Sequence, residues 1–101
     1  MKIAITFTEQ ELTDLLDTAQ TRCGYWAQTR VDLREAIKRP VRIYDAEEPK
    51  KLQGVLTRKK FSPLVVDAES NPGIFKALEN MDSLAADYIV QLALFGEERY
   101  A

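Results

Sequence analysis

The sequence predicts an α+β fold in which a small antiparallel sheet of three to four strands packs against two to four helices, in the order β-α-β-β-β-α-α. Residues 2–7 alternate between apolar and polar side chains, and residues 41–56 contain two further strand-like segments around a turn. The C-terminal part carries apolar residues at helical spacing. Strands and helices that occur in blocks are typical of antiparallel α+β domains. A chain of 101 residues is expected to form a single domain, residues 1–101.

The first strand and the first helix follow each other directly. The alternation over residues 2–7 predicts a half-buried strand. Thr8 then begins the segment Thr-Glu-Gln-Glu, in which Thr8 can cap a helix and Glu11 can reach back to the capping residue. We predict a helix over about residues 9–22 that stops at Gly24. Its apolar stripe comprises Leu12, Leu15, Leu16 and Ala19.

The middle of the chain predicts three strands. Residues 24–31 are rich in aromatic and β-branched side chains, which favours a strand. Residues 32–39 form either a helical turn or a loop. Residues 41–45 and 52–56 predict a hairpin, in which Gly54 is the expected position of a bulge.

The remaining chain predicts helices. Thr57 is a candidate cap for a short helix over residues 58–61, and residues 71–73 (Asn-Pro-Gly) break the chain. Another short helix is indicated by Ile74, Phe75, Leu78 and Met81. A cap at residues 82–83 begins the last helix, which ends at Gly96. This is the most apolar segment of the chain, so we expect it to be buried.

The last helix also leads to a hypothesis about assembly. Its apolar residues include Ala86, Val90 and Leu94 on the side opposite its main stripe, and a helix that is apolar nearly all round must be covered on most sides. A domain of about 100 residues has a shallow core. One interpretation is therefore a two-fold homodimer. The other is that the helix lies between the sheet and the preceding helices.

The residue types present limit the chemistry. The chain contains no histidine, which removes the commonest general base and most zinc chemistry. Its single cysteine, Cys23, cannot form an internal disulfide and has no histidine to activate it as a nucleophile. The acidic pairs at residues 14 and 17 and at residues 47 and 48 lack further ligands. We therefore expect no enzyme activity, no metal and no cofactor.

The expected location also follows from composition. No apolar run approaches the length of about 18 residues that crosses a bilayer. The N-terminal residues do not form the apolar core of a signal peptide. A lone cysteine is also typical of a reducing compartment. The sequence thus predicts a cytoplasmic protein with no membrane partner.

Charge is strongly segregated along the chain. Residues 22–60 hold eleven basic and five acidic residues, a balance of +6, whereas the rest holds three basic and eleven acidic residues, a balance of −8. Two interpretations remain open: a lysine-rich, solvated hairpin, or a face that binds an anionic ligand or an acidic protein. The net charge of −2 argues against a dedicated duplex-DNA binder.

Tyr25 and Trp26 stand beside several of these basic residues. Only one of two neighbouring strand residues can face inward, and Trp26 is the better core anchor because it buries more apolar area. Tyr25 is then the exposed aromatic. A base could stack on its ring while basic side chains pair with phosphates, which predicts a site for a nucleotide or for single-stranded nucleic acid. The candidate residues are Tyr25, Arg22, Arg30, Arg42, Lys59 and Lys60.

Three segments carry a resemblance to known proteins. These are Gly-Tyr-Trp-Ala at residues 24–27, Leu-Thr-Arg-Lys-Lys at residues 56–60, and residues 86–97 (Ala-Asp-Tyr-Ile-Val-Gln-Leu-Ala-Leu-Phe-Gly-Glu) followed by Tyr100. In this order they resemble a family of small uncharacterised bacteriophage and prophage proteins. The resemblance implies action inside a bacterial host cell. It also implies an accessory protein that binds a host protein, for example a component of antiviral defence.

Overall fold

A computed structural model describes residues 1–100 and confirms the α+β class. Three 3₁₀ turns connect its longer elements, at Cys23–Tyr25, Leu33–Ile37 and Arg58–Lys60. The helices and strands, in chain order, are β1 (Lys2–Ile5), α1 (Glu9–Arg22), β2 (Ala27–Gln28), β3 (Val41–Asp45), β4 (Leu52–Leu56), β5 (Leu64–Asp67), α2 (Ile74–Glu79) and α3 (Ser83–Phe95).

The strands divide between two antiparallel sheets instead of forming one. β1 pairs only with β5, and the second sheet has the order β2-β3-β4. Strand β5 was not predicted from the sequence. Its residues Leu64 and Val66 are buried while Val65 is 58% exposed, so the strand alternates in burial. The run Leu-Val-Val hides this alternation, because an apolar residue occupies the outward position as well.

Helix α1 forms as predicted, with a complete capping box. The Thr8 hydroxyl accepts a hydrogen bond from the amide of Glu11 at 3.1 Å, and the Glu11 carboxylate accepts one from the amide of Thr8 at 2.8 Å. The apolar stripe of the helix is buried. The helix gives way to a 3₁₀ turn at Cys23, one residue before the predicted stop at Gly24.

The predicted strand over residues 24–31 is wrong over most of its length. Only Ala27–Gln28 pairs as a strand, with β3, and the amide of Trp26 closes a turn onto the carbonyl of Cys23 at 3.0 Å. Tertiary packing favours the turn over a longer strand, because the turn places the indole of Trp26 in the core. The division of roles was nevertheless right: Trp26 is 2% exposed and Tyr25 is 45% exposed.

Two short segments form 3₁₀ turns: residues 32–39, predicted as a helical turn or a loop, and residues 58–61, predicted as a short helix. The turn Leu33–Ile37 is capped by Asp32, whose carboxylate accepts a hydrogen bond from the amide of Arg34 at 2.8 Å. The turn Arg58–Lys60 lies where a short helix was predicted, but Thr57 makes no side-chain capping bond there. The helices predicted near residues 74–81 and 83–95 are both present as α2 and α3.

The β3–β4 hairpin is also confirmed, and it contains a bulge one residue before the predicted position at Gly54. Ile43 pairs with Gly54 while Tyr44 pairs with Leu52, so Gln53 is the extra residue of the bulge. Gly54 faces helix α3, and a Cβ atom placed on it would lie 2.8 Å from Cδ1 of Leu94. The hairpin therefore approaches α3 more closely than any residue with a side chain at position 54 would permit without a shift.

Helix α3 is buried by elements of the same chain. It packs against α1, α2 and β4, with Ala86, Ile89 and Val90 almost fully buried. Its apolar character thus has an explanation within one copy, and the homodimer remains a prediction. In the part of the chain that the structure describes, no helix has the length and hydrophobicity required to cross a membrane.

Candidate functional site

The outward surface of the sheet β2-β3-β4 collects several basic residues of the 22–60 region. Along β3, Val41 and Ile43 are buried, so Arg42 and Tyr44 point to the opposite, solvent side. Residues directly opposite each other in an antiparallel pair share a face. The pairing of β3 therefore adds Val55 beside Arg42, and Leu52 and Gln28 beside Tyr44.

Two further cations complete this surface. The guanidinium of Arg30 lies over the ring of Tyr44, 4.8 Å from its centroid, in a cation–π contact. The ammonium group of Lys60 donates a hydrogen bond to the backbone carbonyl of Val55, which places it beside β4, the edge strand of this surface. We call this surface the outer sheet face and define it by Arg30, Arg42, Tyr44, Val55 and Lys60.

Ion pairs within residues 1–100 engage four of the eleven basic residues of the 22–60 region. Among the basic residues of the 22–60 region, Arg22, Arg34, Arg39 and Arg58 each have a carboxylate within 4.0 Å. Arg30, Arg42 and Lys60 have no such partner among residues 1–100, and the same holds for Lys38, Lys50, Lys51 and Lys59. Their charge is therefore available to an external anion.

Two predicted site residues, Arg22 and Tyr25, are engaged elsewhere. The Tyr25 hydroxyl donates a 2.7 Å hydrogen bond to Oδ2 of Asp87, and Nε of Arg22 lies 3.9 Å from the same oxygen. The Arg22 guanidinium also stands 5.6 Å from the centroid of the Tyr25 ring. The predicted set thus divides: Arg30, Arg42 and Lys60 share the outer sheet face, whereas Arg22 and Tyr25 turn toward Asp87. Lys59 is exposed on the turn beside Lys60.

Asp87 is the centre of a buried polar cluster. The carboxylate, 4% exposed, accepts hydrogen bonds from Nε1 of Trp26 at 2.8 Å and from Nε2 of Gln91 at 3.0 Å, and the Cys23 thiol lies 3.4 Å from it. Every buried side-chain nitrogen and oxygen within residues 1–100 has a hydrogen-bond partner. This saturation is typical of a structural network, because a buried carboxylate without donors is strongly destabilising.

The same cluster decides the chemistry of Cys23. Burial and the adjacent negative charge of Asp87 raise the pKa of the Cys23 thiol far above its ordinary value. The thiolate is the reactive form of cysteine, so the geometry disfavours a nucleophilic role for Cys23. Burial and the hydrogen bond to Asp87 also raise the pKa of Tyr25 to about 12.

The C-terminal residues 97–100, which we call the C-terminal strap, close the cluster from outside. Oε1 of Gln91 accepts hydrogen bonds from the amides of Arg99 and Tyr100, both at 2.8 Å. The Tyr100 ring stacks on Trp26 with a centroid separation of 5.3 Å and an interplanar angle of 9°. Its hydroxyl donates to Oε1 of Gln53, the bulge residue of β4, at 3.0 Å. The strap therefore seals Trp26 from solvent.

Sequence reasoning missed Tyr44 and Asp87. Tyr44 could have been found, since it lies two residues after Arg42 and therefore on the same, polar side of a recognised strand. Asp87 is an acidic residue in the most apolar helix, which is itself an indication of a buried partner set. Its partners Cys23, Tyr25 and Trp26 lie 64, 62 and 61 positions away, so no local pattern identifies them.

Comparisons with protein-family models, with curated proteins and with solved structures return no match for this chain. They do not bear on the resemblance to phage proteins, which stays a prediction. Metal chemistry has no candidate site in the described residues, because no three cysteine or acidic side chains within residues 1–100 are grouped to hold an ion.

Proposed function

We propose that this protein is a non-catalytic binding protein whose outer sheet face docks on an acidic surface of another protein. The supporting observation is the arrangement of Arg30 and Arg42 on one exposed sheet surface with the half-buried Lys60 at its β4 edge, without a carboxylate partner in residues 1–100. Unpaired cations on one face attract an oppositely charged partner at long range and suppress association with partners of the same charge.

Two features of the face favour a protein over a nucleic acid as the partner. Leu52 is 49% exposed and Val55 lies beside Arg42, so apolar contacts are available between the charges. Tyr44 is the aromatic residue of the face, and Arg30 already covers one side of its ring. Single-stranded nucleic acids are usually held by several free aromatic rings on which successive bases stack.

The phage-type origin implied by the resemblance makes a bacterial host protein the expected partner, with components of antiviral defence among the candidates. Binding would then take place in the host cytoplasm. The absence of a histidine and of a recognised catalytic motif agrees with a role in binding. A protein of this kind acts by occupying a surface of its target.

The second candidate function is the binding of a nucleotide or of single-stranded nucleic acid on the same face. It is favoured by the pairing of Tyr44 with Arg30, since a stacked guanidinium and ring can bind a phosphate and a base side by side. In this alternative Tyr44 takes the role that the sequence assigned to Tyr25. Phosphate binding would weaken steeply with added salt.

Affinity capture from a bacterial lysate tests the proposal. The wild-type chain should retain a stoichiometric protein that the variant Arg42→Glu loses, because a charge reversal in the centre of the face repels an acidic surface. Lys76→Glu is the matched control, since Lys76 is exposed on α2 and carries the same charge change away from the sheet. A partner retained equally by wild type and Arg42→Glu would reject the outer sheet face as the site.

A fluorescently labelled oligonucleotide decides between the two candidates. Trp26 is sealed beneath the C-terminal strap, so an external label is needed to follow binding by anisotropy. Saturable binding at low salt that is abolished by Arg42→Glu would favour the nucleic-acid function. Absence of binding, together with a captured protein sensitive to Arg42→Glu, would favour the protein partner.

A further inference from the structure

A groove with a volume of about 440 Å³ lies where the segment from β1 into α1 approaches α2. Four of the residues that line it are apolar, namely Ile5, Phe7, Leu78 and Met81. Two others, Glu11 and Asp14, are acidic. None of the residues that line it is basic. The residues of this groove all lie outside the basic region 22–60. That remaining part of the chain has a charge balance of −8.

The apolar residues of the groove are incompletely covered. Met81 is 39% exposed, and Ile5, Phe7 and Leu78 are only half-buried, although they pack against the core. Burying such side chains against a partner releases about 25 cal/mol for each Å² removed from water. The groove therefore offers an apolar floor that a suitable side chain would stabilise by filling it.

The acidic residues of the groove are available for an external cation. Hydrogen bonds from Thr8 lower the pKa of Glu11, which keeps its carboxylate ionised. Asp14 accepts a 2.9 Å hydrogen bond from Nε2 of Gln10, an uncharged group. Neither carboxylate forms an ion pair with a side chain in residues 1–100. Their negative charge is thus uncompensated at the edge of an apolar surface.

We propose that this groove binds a short cationic amphipathic segment of another protein. Apolar side chains of the segment fill the floor at Phe7, Leu78 and Met81, and its lysine or arginine side chains pair with Glu11 and Asp14. The charge of the groove selects this occupant, since an acidic segment would be repelled and a neutral one would leave both carboxylates unpaired. The site is opposite in charge to the outer sheet face and does not depend on it.

Titration with a synthetic peptide, observed through backbone amide resonances, tests the proposal. The probe is a short peptide in which leucines and lysines occur at helical spacing, and the control peptide has glutamate in place of every lysine. We expect saturable shifts at Phe7, Leu78 and Met81 with the lysine peptide only. Asp14→Lys should weaken binding about tenfold, because it replaces an attraction by a repulsion.

Asp17→Lys is the matched control variant. Asp17 is exposed on the same helix, lies beside Arg34 and does not line the groove. It should change the affinity by less than about twofold, as expected of a more distant, screened charge. Equal losses in Asp14→Lys and Asp17→Lys would show non-specific attraction and overturn the proposal, as would an absence of shifts at the three apolar residues.

Two further measurements separate this site from the other hypotheses. Arg42→Glu should bind the lysine peptide with wild-type affinity, so a failure of the outer sheet face and a failure of the groove are distinguishable. Light scattering over a range of protein concentrations examines a second copy as the occupant. A dimer that Asp14→Lys dissociates would replace the proposed partner segment by self-association and thereby overturn the proposal.

Discussion

The indole Nε1 of Trp26 donates a 2.8 Å hydrogen bond to the carboxylate of Asp87, a residue 61 positions further along the chain. This bond joins the turn after α1 to the middle of α3, and both groups are buried. The same carboxylate accepts hydrogen bonds from Gln91 and Tyr25, and the Cys23 thiol lies beside it. This carboxylate therefore ties the turn after α1 to α3. Three predictions concern the cluster and the residues that cover it, and a fourth concerns the contact between β4 and α3.

Asp87→Asn should lower the free energy of unfolding by about 3 kcal/mol. The amide keeps the size of the carboxylate but presents one NH₂ group to donors that already fill the site, so at least one buried hydrogen bond is lost. Urea unfolding followed by circular dichroism measures the change. Asp17→Asn, on the exposed side of α1, is the control and should change stability by less than about 0.5 kcal/mol. Similar losses in both variants would contradict a central role for Asp87.

Alkaline pH should destabilise the protein through Tyr25, in addition to the buried Cys23 thiol, whose pKa is also raised. The pKa of Tyr25 is raised from 10.0 to about 12, so the folded state favours the protonated hydroxyl. The stabilisation is complete below pH 10 and is lost as the pH rises toward about 12. The effect is modest because the residue is 45% exposed and partly screened by solvent.

The matched variant for this pH dependence is Tyr25→Phe. It should be less stable than wild type at neutral pH by about 1 kcal/mol, because the hydrogen bond to Asp87 is removed. Its stability should fall less than that of wild type between pH 10 and about 12. Tyr44→Phe, on the outer sheet face, controls for the general effect of removing a tyrosine. Parallel pH profiles for wild type and Tyr25→Phe would show that Tyr25 contributes nothing to the alkaline loss.

Alanine substitutions at two glycines should have opposite consequences. Gly54→Ala places a Cβ atom 2.8 Å from Cδ1 of Leu94, and we expect a loss of about 1–2 kcal/mol as the leucine shifts. Gly24→Ala meets no atom within 4 Å and should be neutral or slightly stabilising. Thermal unfolding of both variants measures the difference. In a double-mutant cycle, Leu94→Ala should remove most of the cost of Gly54→Ala; an additive result would place the strain elsewhere.

Tyr100→Ala should open the cover over Trp26. The substitution removes the ring stacked at 5.3 Å and the hydrogen bond to Gln53, with an expected loss of about 2 kcal/mol. Trp26 emission should shift to longer wavelength, and its quenching by acrylamide should increase. Arg99→Ala, which removes the contact with the Phe95 ring at 4.3 Å and an exposed ion pair with Glu97, should leave Trp26 protected. Unchanged quenching in Tyr100→Ala would show that the strap is not the cover.

The locally encoded parts of the fold were predictable. The capping box at Thr8 and Glu11, the stripe of α1 and the ends of α3 depend on residues within one or two helical turns of each other. The β3–β4 hairpin depends on alternation and a short turn. Strand β5 was not predicted because its partner residues in β1 lie 59 to 65 positions earlier, and its outward Val65 removes the alternating pattern.

The sequence by itself determined that basic residues concentrate in the 22–60 region and that Trp26 is a core residue, since these follow from composition and apolar area. Only the tertiary structure decided which cations share a surface. Arg42 shares the outward side of β3 with Tyr44, and the chain after β2 places Arg30 over the Tyr44 ring. Arg22 and Tyr25 turn to Asp87 because α3 brings a buried carboxylate to them. A buried charge takes its donors from whatever elements pack around it, and that choice is made by three-dimensional packing and not by local sequence pattern.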